Sequence, residues 1–168
     1  MDVPTMTEPV FRAISPADFF YSNRDIAGFD NPTRALYTAF RELVENSLDA
    51  CEDGNYLPNV FIQLKTEAHE NTLTLTVIDD GVGVPKRHIK PAFGKILYGS
   101  KYKHRQARGR FGLGGKMAYL YGQITTHQPL RVVTATKKDP DRIEAVLRVD
   151  IKNNEPDLLA WNKYANTG

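Results

Sequence analysis

The sequence predicts an α+β fold, a two-layer sandwich in which a mixed, mostly antiparallel sheet carries helices on one face. Three observations lead there. Residues 33–52 repeat apolar side chains at helical spacing, on a stretch long enough to cover a sheet. Two pairs of strand-like runs are each joined by a short turn, which makes neighbouring strands antiparallel. The chain has 168 residues, 41% apolar and 25% charged, the size and composition of one globular core.

The elements follow in order. Residues 1–14 read as an N-terminal arm and 15–168 as one domain. Ser15-Pro16 ahead of Asp18 sets an N-cap before a proline at the first helical position. The short helix so opened is expected to run to about Ile26 and stop at Gly28. Asp30-Asn31-Pro32 opens the long helix and Gly54 closes it, with Leu36, Ala39, Phe40, Leu43, Val44 and Ala50 on one face. Beyond Pro58, Val60 to Leu64 and Thr72 to Ile78 read as strands. The second sets Thr72, Thr74 and Thr76 on one face and Leu73, Leu75 and Val77 on the other. A short basic helical segment follows Pro85, and the Gly- and Lys/Arg-rich residues 99–116 read as a loop. A helix from about Lys116 to Tyr121 leads to strands Leu130 to Thr136 and Arg142 to Ile151, turned at Lys138-Asp139-Pro140-Asp141. Trp161 is expected to pack the tail back on the body.

Composition excludes several classes of function. No run approaches the roughly 18 apolar residues of a membrane span, and MDVPTMTEPV lacks a signal-peptide layout. A single cysteine, Cys51, rules out an internal disulfide and any cysteine-based metal cluster. With no histidine near it, Cys51 reads as packing, and a reducing cytoplasm is expected. His88, His104 and His127 are scattered without zinc-ligand spacing. The net charge is only +2, but residues 1–80 hold 5 Lys/Arg against 14 Asp/Glu, whereas residues 81–138 hold 13 Lys/Arg and no acid. Such a block suits a polyanion, either nucleotide phosphates or DNA, and equally suits a basic face balanced by the acidic first half.

Three segments could carry chemistry. Glu42, Asn46 and Asp49 stand at i, i+4 and i+7 of the long helix, on one face beside the apolar stripe. A partly desolvated carboxylate there could serve as a base and an amide oxygen one turn on could bind Mg²⁺; the same trio also fits a solvated polar edge. Asp79-Asp80-Gly81-Val82-Gly83 ends a strand. Its glycines would let backbone approach a flat ligand while a carboxylate accepts from an exocyclic amine, and Asp-Gly is equally a hairpin signal. Gly109-Arg110-Phe111-Gly112-Leu113-Gly114-Gly115-Lys116 runs into a helix, where free amides bind phosphates. Its glycine spacing and Met117 exclude a Walker A loop, and no strand precedes it as in a dinucleotide-binding fold. A surface loop is the alternative.

The order of these segments resembles the GHKL (Bergerat-fold) ATPases, which include gyrase, MutL, a heat-shock chaperone and histidine kinases. Further stretches sharpen the likeness: Gly28-Phe29-Asp30-Asn31-Pro32, Arg41 to Ala50, Leu97-Tyr98-Gly99-Ser100-Lys101-Tyr102 and Arg108 to Gly114. These are similar to the B subunits of topoisomerase VI, from about residue 15 to 155. The resemblance implies that Glu42 is the general base, that Asn46 holds Mg²⁺ and that Asp79 reads the adenine amine, with Gly81 and Gly83 beside the base. Asp49 would lie in the same nucleotide site. It further implies an ATP lid over about Lys95 to Arg110, including Lys101, and a phosphate loop with Gly109, Gly112, Leu113, Gly114, Gly115 and Lys116. ATP and Mg²⁺ are the implied cofactors. A topoisomerase VI A subunit, double-stranded DNA and an ATP-dependent homodimer of the full-length subunit are the implied partners, in the cytoplasm with the nucleoid.

The sequence departs from that pattern at Asp80, where the family carries Asn, adding charge near the adenine edge. It also stops before a strand with a Gly-Thr pair and before a transducer domain that supplies a Lys to the γ-phosphate. Weak turnover by the isolated chain is therefore expected. The alternative function is an ATP-binding switch module without efficient turnover; another GHKL activity, chaperone or kinase, is disfavoured by residues 97–102.

Overall fold

The structure, a computed structural model, describes residues 15, 18, 22, 25, 28–67, 71–96, 98 and 114–166. Most of the predicted first helix lies outside them, although Asp18 and Ser22 are helical and the Asp18 amide donates to Ser15 Oγ at 3.0 Å.

Helix α1 (Pro32–Asp53) starts and stops where its capping residues predict. Asn31, in extended backbone, accepts from the Arg34 amide at 2.9 Å, and Pro32 fills a position whose amide would have no helical partner. The Gly54 amide closes the last turn on the Cys51 carbonyl at 3.1 Å. The buried set is not the predicted stripe. Ala35, Ser47, Asp49 and Cys51 are buried, while Phe40 stays 38% exposed. Two elements share the helix, α3 (Gly114–Thr126) and β2 (Thr72–Asp79), so burial follows those partners rather than hydrophobicity alone.

β1 (Val60–Glu67) and β2 form an antiparallel hairpin in register from Val60↔Asp79 to Glu67↔Thr72. Both run past their predicted ends, because main-chain pairing carries them where side-chain burial does not. Leu73, Leu75 and Val77 do share a face, yet Leu64 and Leu73 remain about half exposed. A 3₁₀ turn, Lys86–His88, and the short helix α2 (Ile89–Gly94) form the predicted basic segment. α3 begins two residues before the predicted Lys116 and ends five after Tyr121. The Thr125 and Thr126 hydroxyls bond back to the Tyr121 and Gly122 carbonyls at 2.8 and 2.7 Å, satisfying the polar end of the helix.

β3 (Leu130–Thr134), β4 (Asp141–Asp150) and β5 (Glu155–Ala165) make a second antiparallel sheet. Two corrections arise here. The tail is a full strand, paired with β4 from Asp150↔Glu155 to Asp141↔Ala165. Pro156 and the polar second half disguise it, but a proline near the start of an edge strand removes no needed donor. The expected single mixed sheet is instead two sheets, and every strand pair among the described residues is antiparallel. Near their ends β2 and β3 are joined by the Val84 amide donating to Thr134 Oγ1 at 2.9 Å and by Gly83, φ +68°, lying against the Ala135 carbonyl. A β-carbon on Gly83 would stand 1.8 Å from that oxygen, so only glycine fits.

Two apolar clusters hold the layers. Phe29, Ala35, Met117 and Ala118 lie between α1 and α3, with the Phe29 and Tyr121 rings 5.3 Å apart. Ile89, Ile143, Ala145 and Leu147 lie between α2 and the three-stranded sheet, and Trp161 packs against them as predicted. The strict alternation of β4 puts Ile143, Ala145, Leu147 and Val149 inside. Cys51 is a buried, free thiol, in keeping with a packing role.

Candidate nucleotide site

Glu42 and Asn46 face the first turn of α3. A β-carbon on Gly114 would be 1.7 Å from Glu42 Oε2, and one on Gly115 would be 2.7 Å from Asn46 Nδ2. The glycine pair thus lets a helix N-terminus, with its unpaired amides and positive dipole end, lie directly on a carboxylate and an amide. The Glu42 side chain is 13% exposed, and Arg41 Nη2 donates to its Oε1 at 2.7 Å, fixing the carboxylate.

Across from them, Asp79 ends β2. Ser47 Oγ donates to its Oδ2 and the Gly81 amide to its Oδ1, both at 3.0 Å. A carboxylate has about four acceptor positions, so capacity for a ligand donor is left. The loop beyond it is pinned to α1 by the Val82 amide on the Ala50 carbonyl at 3.1 Å, one turn from Ser47 and beside the buried Asp49. Asp80 is exposed and accepts from Asn59 Nδ2 at 2.8 Å. Its carboxylate therefore points to Asn59 and solvent, not to Ser47 and Gly81 as that of Asp79 does.

Lys116 is buried and donates to the carbonyls of Lys95 (2.8 Å) and Tyr98. Desolvation lowers its pKa to about 8. Its ammonium therefore holds the backbone of residues 95 and 98 against the first turn of α3. Lys101, Gly109, Gly112 and Leu113 lie outside the described residues, as does the rest of the lid beyond Tyr98.

The basic block divides. Arg131 pairs with Glu144, Lys95 pairs with Glu155, and Lys137 sits 4.3 Å above the Tyr56 ring. Lys86, Arg87 and Lys90 instead line a separate open cleft of about 700 Å³ with Trp161 and Asp139. Sequence reasoning missed Ser47, which orients Asp79, and Thr134, which ties the glycine loop to β3. A serine inside a helix and a threonine inside a strand carry no local signal for such distant contacts.

A carboxylate and an amide on one helix, a helix N-terminus packed on both, and a held aspartate opposite them occur together in one fold. The sequence profile of the histidine kinase-, DNA gyrase B- and HSP90-like ATPases matches residues 34–162. The chain belongs to that family. This GHKL ATPase domain is 42% identical over 159 residues to the B subunit of type 2 DNA topoisomerase 6 from Saccharolobus islandicus strain Y.N.15.51, covering 94% of the chain and 30% of that relative. It is likewise 42% identical over 157 residues to the B subunit from Pyrobaculum aerophilum (93% and 30%) and 40% over 158 residues to that from Saccharolobus shibatae (94% and 30%). The GHKL domain is homologous to these B subunits and spans about 30% of their length. None of its described helices is long and apolar enough to cross a membrane.

Proposed function

We propose that this domain binds Mg²⁺-ATP, with adenine at Asp79 and the phosphates at the N-terminus of α3. The convergence of Glu42 and Asn46 on Gly114 and Gly115 carries the reading, since it puts a carboxylate, an amide and unpaired backbone amides at one point. Glu42 is the general base for the attacking water, held by Arg41. Gly81 and Gly83 let backbone lie beside the base, and Asp49 belongs to the same nucleotide site. Mg²⁺ is commonly bound through one or two protein groups plus substrate phosphates, and Asn46 would be the protein group here. When bound, the ion neutralises charge developing on the phosphate oxygens.

Within a protein of the relatives' length, ATP would close two B subunits into a dimer. That closure would gate DNA strand passage by an A subunit, in the cytoplasm. Calorimetry on the chain tests the nucleotide assignment. ATP would donate its amine to Asp79, whereas guanine sets a carbonyl against the free acceptor position of the carboxylate, costing about 1–3 kcal/mol. ATP is expected to bind about 5- to 150-fold more tightly than GTP; equal affinities would remove Asp79 from the base contact. Relaxation of supercoiled DNA by the longer protein with an A subunit tests the wider role, and its failure would leave a nucleotide-binding switch.

A further inference from the structure

Tyr119 has no part in the roles above, yet it stands inside the same site. It follows Gly115 by one turn of α3, and helical side chains lean back toward the N-terminus. Its hydroxyl lies 3.4 Å from the point a β-carbon on Gly115 would occupy, and that point is 2.7 Å from Asn46 Nδ2. The missing side chain at Gly115 is the space the phenol reaches into. Its ring lies against Phe93 of α2, centroids 5.9 Å apart. Burial and the nearby Asp79 carboxylate push the phenol's pKa above its ordinary value. The hydroxyl is therefore set between Asn46 of α1 and the first turn of α3, near enough to Asp79 to feel its charge, and it keeps its proton at neutral pH.

We propose that the Tyr119 hydroxyl donates a hydrogen bond to N7 of the bound adenine, as a second base-reading group beside Asp79. This rests on the nucleotide reading given above. That reading puts the exocyclic amine at Asp79 and the phosphates at Gly114 and Asn46. In an anti nucleotide the 5′-phosphates lie on the C8 side of the base, so the edge running from the amine toward them carries N7. N7 is an acceptor only, and a protonated phenol between the two ends supplies the donor it needs. Asp79 takes the amine and Tyr119 the adjacent ring nitrogen, which fixes the base in its plane.

The test is calorimetry on the 168-residue chain with ADP and 7-deaza-ADP, in which a C–H replaces N7. The unsubstituted chain is expected to bind ADP about 5- to 10-fold more tightly than 7-deaza-ADP, the size of one neutral hydrogen bond. Tyr119→Phe keeps the ring against Phe93, and is expected to weaken ADP by about the same factor and to bind the two ligands equally. Equal affinity of the unsubstituted chain for the two ligands overturns the inference without any variant. Full ADP preference in Tyr119→Phe overturns it as well. Asp79→Asn separates the underlying reading: if it loses ADP while N7 makes no difference, the nucleotide site stands and Tyr119's role falls. If the unsubstituted chain binds no ADP, both fall.

Discussion

At Asp79 both carboxylate oxygens are directed into the protein, toward Ser47 and Gly81, whereas the next residue, Asp80, faces outward to Asn59. One residue past the end of β2 the side chain turns from the protein to solvent, so the two neighbouring acids have different surroundings. Glu42 is held by Arg41 and by the absence of a side chain on Gly114. In a chain of the relatives' length, Glu42→Ala should retain nucleotide affinity and lose about 10²–10⁴-fold in hydrolysis, the usual range for a general base. Single-turnover ATPase rates at the parental level would reduce Glu42 to a packed polar residue. Lys116 gives a prediction about pH. Its folded pKa, about 8, lies below the unfolded value near 10.5. Below pH 8 the ammonium is charged in both states and its burial opposes folding in full. Between pH 8 and 10.5 the folded state sheds the proton first, so the penalty is relieved and stability rises with pH. Lys116→Met should cost about 1–3 kcal/mol by stranding two carbonyls. The gap in Tm between parent and variant should widen from pH 8 to pH 10; a constant gap would mean the amine is already solvated.

Among the elements, α1 is the one whose ends were legible without the fold. Asn31, Pro32 and Gly54 act on backbone within a few residues of themselves, and local chemistry sufficed to place both ends. Asn31→Ala removes the bond to the Arg34 amide and should cost about 1 kcal/mol of stability, measured by urea unfolding. A loss below a few tenths would show that the cap is replaced by water. β5 was missed because its evidence is a partner, not a pattern. Its burial alternates only through the first half, and β4 supplies the register. α3 began earlier than its glycines suggested for the same reason: Gly114 and Gly115 are poor helix formers but allow the close contact with Glu42 and Asn46.

For the molecule as a whole, the strands fall into two sheets of different character. β4 buries alternate residues against α2, whereas β1 leaves Phe61, Ile62 and Leu64 largely exposed. Opening free energies should follow. Amide exchange is expected to be slowest in β4 and markedly faster in β1 and β2, and uniform protection across both sheets would contradict two separately supported layers. The α+β class, the antiparallel pairing and the order of the site segments were all set by local pattern: period, caps, turns and glycine spacing act over a few residues. The nearness of Glu42 to Gly114, the bond from Ser47 to Asp79, the withdrawal of Lys116 onto the 95–98 backbone and the place of Tyr119 depend on residues far apart along the chain, or on a helix packed against another. Such contacts arise only when close packing brings distant side chains together, and no periodicity along the chain encodes them.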